Sequence, residues 1–168
     1  MSEITQKTET GLPPDWFKIN SKTGETLLDK SSNKSDFSYD AIRIFLRFYI
    51  DYEITHNTEA KNFLSKVTFF TDKWRKNGQF YTHFKQNGEV SSDYEDVGNI
   101  ALLLPAIKLQ DERTAYKIYN TKVKRYFNPE GYWKDSKNYY SQNLSWLGIW
   151  MLLNHEKAET IIKEKKNT

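Results

Sequence analysis

Four charged residues recur at helical spacing through an otherwise apolar stretch: Asp40, Arg43, Arg47 and Asp51. At about 100° per residue they fall in one narrow sector of a helix that begins after Ser38 and runs to Asp51. Ser38 is a good N-cap, because its hydroxyl can take an orphan backbone N–H. Asp40 then lies in the first turn, where the positive end of the helix dipole and the free N–H groups favour the ionised carboxylate. Flanked by the Tyr39 phenol and the Arg43 guanidinium, it suits a general base that draws a proton from water. The same spacing also fits the solvated face of an amphipathic helix with ordinary ion pairs.

A chain of 168 residues fits one domain and is long enough to bury a real core. Its net charge is only +3, with acids and bases interspersed, so nothing argues for nucleic acid or phosphate binding; the one basic cluster, Lys163 to Lys166, is terminal. Five Trp, eleven Tyr and ten Phe exceed what a helical core needs, and aromatics in such number line clefts for flat amphipathic ligands such as sugar rings as well as cores. The absence of Cys excludes disulfides, thiolate metal sites and Cys nucleophiles. Met1 to Gly11 is polar and lacks the apolar core of a signal peptide, and no run of about 18 apolar residues occurs, so no membrane association and no export signal are expected. Localisation stays open.

Residues 1–11 read as a disordered segment and residues 12–168 as the domain. Leu12-Pro13-Pro14-Asp15-Trp16 is a rigid extended entry, and Ile19 to Lys34 a loop with turn chemistry at Lys22-Thr23-Gly24. Beyond the first helix, Thr58 is expected to cap a second, whose apolar residues Ala60, Phe63, Leu64, Val67, Phe70 and Trp74 lie on one side and which ends near Asn77-Gly78. Gln79 to Val90 reads as a small β-hairpin. Ser92 to Glu95 is a capping box opening an all-round apolar third helix that Pro105 should kink or end. Asp111 caps a one-sided fourth. An aromatic loop, Tyr132-Trp133 to Tyr139, leads to a fifth helix, Tyr140 to Asn154, with almost no polar face, and to a short charged sixth, Glu156 to Lys163. Apolar and one-sided helices thus alternate about every fifty residues, an all-α repeat of three helical hairpins with the first, third and fifth helices inside. The long loops enter the N-termini of the inner helices and gather on one face with Asp40. Three hairpins close no ring, so the edge helices leave apolar surface that predicts self-association or a missing partner.

Leu12-Pro13-Pro14-Asp15-Trp16, Phe37-Ser38-Tyr39-Asp40-Ala41-Ile42-Arg43 and Tyr139-Tyr140-Ser141-Gln142-Asn143-Leu144, in that order, resemble segments in the C-terminal half of glycoside hydrolase family 8. The resemblance spans nearly the whole chain, and the middle segment is its most specific part. It implies an (α/α)6 toroid, of which this chain supplies about half, and an inverting endo-β-1,4-glucanase type of activity without cofactor, on cellulose-type glucan or on chitosan, mixed-linkage glucan or xylan. It matches Asp40 to the general base, Tyr39 to a neighbour touching sugar and water, and Arg43 to a group holding that constellation. Tyr139 and Tyr140 are placed along the cleft, and Trp133 as a stacking residue or, equally, a loop anchor.

The resemblance also implies a departure. Inverting hydrolysis needs a second, protonated carboxyl roughly 6.5–9.5 Å away. In the family it is a Glu followed by Gly in the N-terminal half, and the only Glu-Gly here, Glu130-Gly131, follows Pro129 in a turn. Base and cleft without acid predict little or no hydrolysis by this chain alone. His56, His83 and His155 lack zinc-site spacing and read as structural or exposed. A non-catalytic β-glucan-binding module and a helical protein-interaction scaffold are the alternative functions.

Overall fold

The computed structural model of the chain describes the backbone of residues 2–29 and 33–166 and the side chains of residues 3–29 and 34–154. It is all-α with one small antiparallel hairpin. The helices are α1 (Ser2–Gln6), α2 (Arg43–Thr55), α3 (Thr58–Leu64), α4 (Thr68–Asn77), α5 (Val97–Gln110), α6 (Glu112–Ile118) and α7 (Tyr139–Lys166), and the strands are β1 (Lys18–Ile19) and β2 (Thr26–Leu27). One π-helical turn, Tyr119–Val123, extends α6. Helix α7 breaks at Asn154 (φ −111°, ψ 15°), next to the predicted boundary between the fifth and sixth helices. The side chains of His155, of the sixth helix and of the terminal lysine cluster lie outside the described residues.

Over the segment read as disordered the structure places α1 instead, anchored by the buried side chains of Ile4 and Leu12. The hairpin also sits elsewhere than predicted. Lys18 pairs with Leu27 and Ile19 with Thr26 around a turn in which the Asn20 carboxamide accepts the N–H groups of Lys22 and Thr23. In the Gln79 to Val90 segment the tight turn at Asn87-Gly88 forms, but Phe84 gives its backbone N–H and C=O to Phe37. That long-range bridge ties the segment to the chain entering α2, while Phe84 also bridges Val90 antiparallel across the turn, with Lys85 N–H on the Glu89 carbonyl and Ser91 N–H on that of His83.

Helix α5 is the centre. Every residue from Val97 to Ile107 is buried, and the helix continues through Pro105 to Gln110 rather than ending there. Helices α2 and α7 pack on it, α3 covers α2, and α6 with its π-turn covers α5. The predicted one-sided face of the second helix is realised: Ala60, Phe63, Leu64, Val67, Phe70 and Trp74 are all buried, and Gly78 ends α4 at φ +73°. Helix α2 differs from its reading, since only Phe45 and Tyr49 are buried along it and Ile50 and Ile54 are exposed. Asn57 and Asp96, rather than Thr58 and Ser92, cap α3 and α5, while Asp111 caps α6 as expected.

Glycines set the closest approach in the fold. A Cβ on Gly148 would lie 2.2 Å from the Ala101 carbonyl oxygen, and one on Gly98 2.7 Å from that of Ser141. Helices α5 and α7 therefore cross backbone to backbone, which fixes the N-terminus of α7 beside that of α5.

Candidate functional site

The segment carrying Asp40 is built by a residue that the sequence presented only as part of a motif. The Asp15 Oδ1 accepts the backbone N–H groups of Ser38 (3.0 Å), Asp40 (3.1 Å) and Ala41 (2.7 Å), and its Oδ2 accepts the Ser38 hydroxyl. Ser38 thus does not cap the helix; its hydroxyl is turned to Asp15, and α2 opens later, at Arg43. Pro13 and Pro14 hold the approach of Asp15 extended, which leaves its carboxylate free to collect these donors. Asp40 sits in the resulting turn, two residues before the Ile42 N-cap.

The Asp40 carboxylate pairs with the Arg43 guanidinium through Oδ1 and Nη2, with both side chains 40% exposed. Asp51, at the far end of the predicted charged stripe, instead takes the Thr55 hydroxyl and the Asn57 amide. The stripe is therefore not one network, and the pair nearest the N-terminus stands by itself.

Beside this pair lies a cluster of rings drawn from three helix entries. The Tyr39 and Tyr94 hydroxyls hydrogen-bond at 2.7 Å, and the Tyr140 hydroxyl donates to the Tyr39 carbonyl at 3.0 Å. The Tyr39 ring meets His83 edge-on at 4.5 Å and Tyr140 at 5.9 Å. The N-terminal ends of α2, α5 and α7 are thereby gathered in one place. Burial and the Tyr94 hydrogen bond push the Tyr39 phenol well above its usual range, and burial raises Tyr140 too. Both stay protonated, with the Tyr140 proton donated to the Tyr39 carbonyl and the Tyr39 hydroxyl paired with that of Tyr94.

Behind the rings, Asn99 is fully buried and reaches the His83 Nε2 with its amide nitrogen at 3.0 Å. With the amide donating, that nitrogen accepts and the imidazole is neutral, its proton on Nδ1. Burial lowers the His83 pKa below its ordinary value of 6.5, against the opposing pull of Asp96 and Asp15. His83 and Tyr94 also line an open cleft of about 820 Å³, together with Asp36, Ser38, Lys85 and Asp93. Neither Asp40 nor Arg43 is on that cleft's wall; the pair acts on Tyr140, which does not line the cleft either. Burial raises the carboxyl of Asp36, against the pull of Lys85.

The other sequence candidates are spread around this centre. Tyr140 joins the cluster, whereas Tyr139, one step along α7, is 75% exposed. Trp133 is half-buried, packs on Phe127 at 4.7 Å and exchanges backbone hydrogen bonds with the Gln142 side chain, the contacts of a loop anchor. Glu95 is held by Lys122 at 2.6 Å in a mostly buried pair, Asp96 caps α5 through the Asn99 N–H, and Glu130 sits in an Asx turn closed by Asn128. Asp15, His83, Tyr94 and Asn99 were not readable as site residues, since their partners lie 16 to 55 positions away. Among the described residues no group of three or more His, Asp or Glu is arranged to hold a metal ion.

A family model described as "Glycosyl hydrolases family 8" matches residues 1–153 of the 168. No curated protein and no solved structure matches the chain.

Proposed function

This chain belongs to glycosyl hydrolase family 8, and on that premise we propose that Asp40 is the general base of an inverting cleavage of β-1,4-glucan. The observation that carries this reading is the Asp40–Arg43 pair beside the tyrosine cluster. A carboxylate held by one guanidinium, yet exposed enough to meet a ligand, can orient a water and take its proton. In the proposed step the water oxygen bonds to the anomeric carbon as Asp40 removes its proton. The glycosidic C–O bond breaks, and the leaving oxygen is protonated by a carboxylic acid on the opposite face of the sugar. Tyr39 and Tyr140 supply hydroxyls and ring edges at the reacting end, and the exposed Tyr139 extends the surface along the glucan.

The same geometry supports the view that this chain does not supply the acid. Asp15 is filled by four donors, Glu95 by Lys122, and Asp96 by the start of α5. The helical hairpins are read here as about half of an (α/α)6 toroid, with the acid coming from the part that completes it. The chain by itself then binds β-glucan and turns it over little, because a missing acid costs about 10²–10⁴-fold in such a step.

Reducing-sugar release from carboxymethylcellulose, with cello-oligosaccharide binding measured by calorimetry, tests this. The expected result is oligosaccharide binding that Asp40→Asn leaves in place, with turnover at or near background. Clear turnover abolished by Asp40→Asn would show that an acid is present after all, and Asp36, whose carboxyl is raised by burial at the cleft, is the first donor to substitute. Absence of any oligosaccharide binding would remove the glycan reading and leave a helical protein-interaction scaffold.

A further inference from the structure

The open cleft of about 820 Å³ has a lining held in place by the chain itself. The Ser91 N–H donates to the His83 carbonyl at 3.1 Å, Phe84 bridges both Phe37 and Val90 beside them, and the Tyr94 hydroxyl meets that of Tyr39 at 2.7 Å. His83 lines the cleft, is only 6% exposed and shares its Nε2 with Asn99. Its Nδ1 has no partner among the described residues and is not sealed from solvent, so its proton is available to an oxygen in the cleft. The carboxylates of Asp36 and Asp93, also on the wall, accept no hydrogen bond from the described residues, and the Tyr94 ring is 47% exposed. Lys85, the one lysine or arginine among the described lining residues, is taken by Glu89 at 2.9 Å.

We propose that this cleft is a second saccharide-binding site, which holds neutral pyranose rings apart from the Asp40–Arg43 pair. One free donor, two free carboxylates and an exposed aromatic ring complement a sugar. Its hydroxyls give hydrogens to Asp36 and Asp93, one of its oxygens takes the His83 Nδ1 proton, and its C–H face rests on Tyr94. The Nδ1–H of a ring so deeply buried gains a partner only when an oxygen-bearing ligand enters, which favours occupancy by a polyol over an apolar molecule. An anion such as a phosphate or a uronate fits less well, because two carboxylates oppose it and Lys85 is already committed to Glu89. The volume and the few convergent polar groups suit a short oligosaccharide. Asp40, Arg43 and Tyr140 do not line the cleft, so a glucan held there is anchored away from the bond that is cleaved. The inference rests on the β-glucan reading of the chain and extends it to residues that the proposed step does not use.

Calorimetric titration of the full chain with cellotetraose tests it, using Asp36→Ala to remove a hydroxyl acceptor and Ser91→Trp to fill the cleft. Ser91 lines the cleft, is exposed and makes its hydrogen bond through the backbone, so the substitution leaves the fold intact. The expected result is that each variant weakens binding by about tenfold or more with an unchanged far-UV spectrum. If Asp36→Ala misfolds, Ser91→Trp decides alone. Affinity unchanged in the cleft variants overturns the proposal and leaves the β-glucan reading standing, with binding confined to the tyrosines beside Asp40. Failure of the unaltered chain to bind cellotetraose overturns both. Tighter binding of tetragalacturonate than of cellotetraose overturns the assignment to a neutral sugar.

Discussion

His83 shows how a single side chain links the site to the core. Its ring packs edge-on against both Tyr39 and Tyr94, and its Nε2 hydrogen-bonds with the Asn99 amide at the buried start of α5. Burial lowers its pKa, so below about 6.5 the unfolded chain takes up a proton that the folded one refuses. Stability therefore rises with pH through that window and is lost as pH falls below it. His83→Gln keeps an acceptor for Asn99 but cannot titrate. Between pH 7 and 5 the melting temperature of the unaltered chain should fall more steeply than that of the variant, and parallel curves would disprove the assignment. None of this was legible locally: His83 sits in an aromatic stretch read as one arm of a hairpin, and its ring neighbours lie 44 residues upstream and 11 downstream. The Asp40–Arg43 ion pair was legible because its three-residue spacing is local, although α2 opens only at Arg43. Asp15 was not, since its four donors lie 23 to 26 residues away.

The helices themselves were the most readable part, and the reason is periodicity. The apolar steps from Ala60 to Trp74 specify one buried face and the structure buries all six residues, while the unbroken apolar run from Ile100 to Leu104 specifies a helix covered on every side. Elements held by long-range backbone pairing were not readable: the segment expected as a hairpin at Gln79 to Val90 keeps a single Phe84–Val90 bridge but is also joined to Phe37, and the pair at β1 and β2 rests on a turn that the sequence marked only as a loop. The α5–α7 crossing was equally hidden, because Gly148 inside an apolar helix gives no sign of what it touches. The structure supplies a measurable contrast. A Cβ at Gly148 meets the backbone of Ala101, which cannot give way without moving α5, so Gly148→Ala should cost at least about 2–3 kcal/mol by overpacking. Gly24 has φ +73° and open space around it, so Gly24→Ala should cost only about 1–2 kcal/mol, through backbone strain alone. Urea denaturation of the two variants measures both, and a Gly148→Ala protein no less stable than Gly24→Ala would mean that the helices do not cross at this glycine.

At the scale of the whole molecule, α5 is buried along Val97 to Ile107: α2, α6 and α7 all pack on it, and α3 reaches it through α2 and the turn that follows Leu64. Removing any one of these helices exposes part of an eleven-residue buried run, so no helix can leave without weakening the contacts of the others. The N-terminal segment is drawn into the same unit, since Leu12 belongs to the core and Asp15 holds the entry to α2. Unfolding is therefore expected to be one cooperative transition. The five tryptophans report on it from separated places, with Trp16 before β1, Trp74 in α4, Trp133 in the aromatic loop, and Trp146 and Trp150 on α7. Urea curves from tryptophan emission and from far-UV circular dichroism should coincide, provided that they are recorded at low protein concentration so that association does not add a second equilibrium. An emission change that precedes the loss of helix, and that is removed by Trp146→Phe with Trp150→Phe, would show α7 detaching first. The Gly148 crossing would then be too weak to hold the rings of Tyr39 and Tyr140 together.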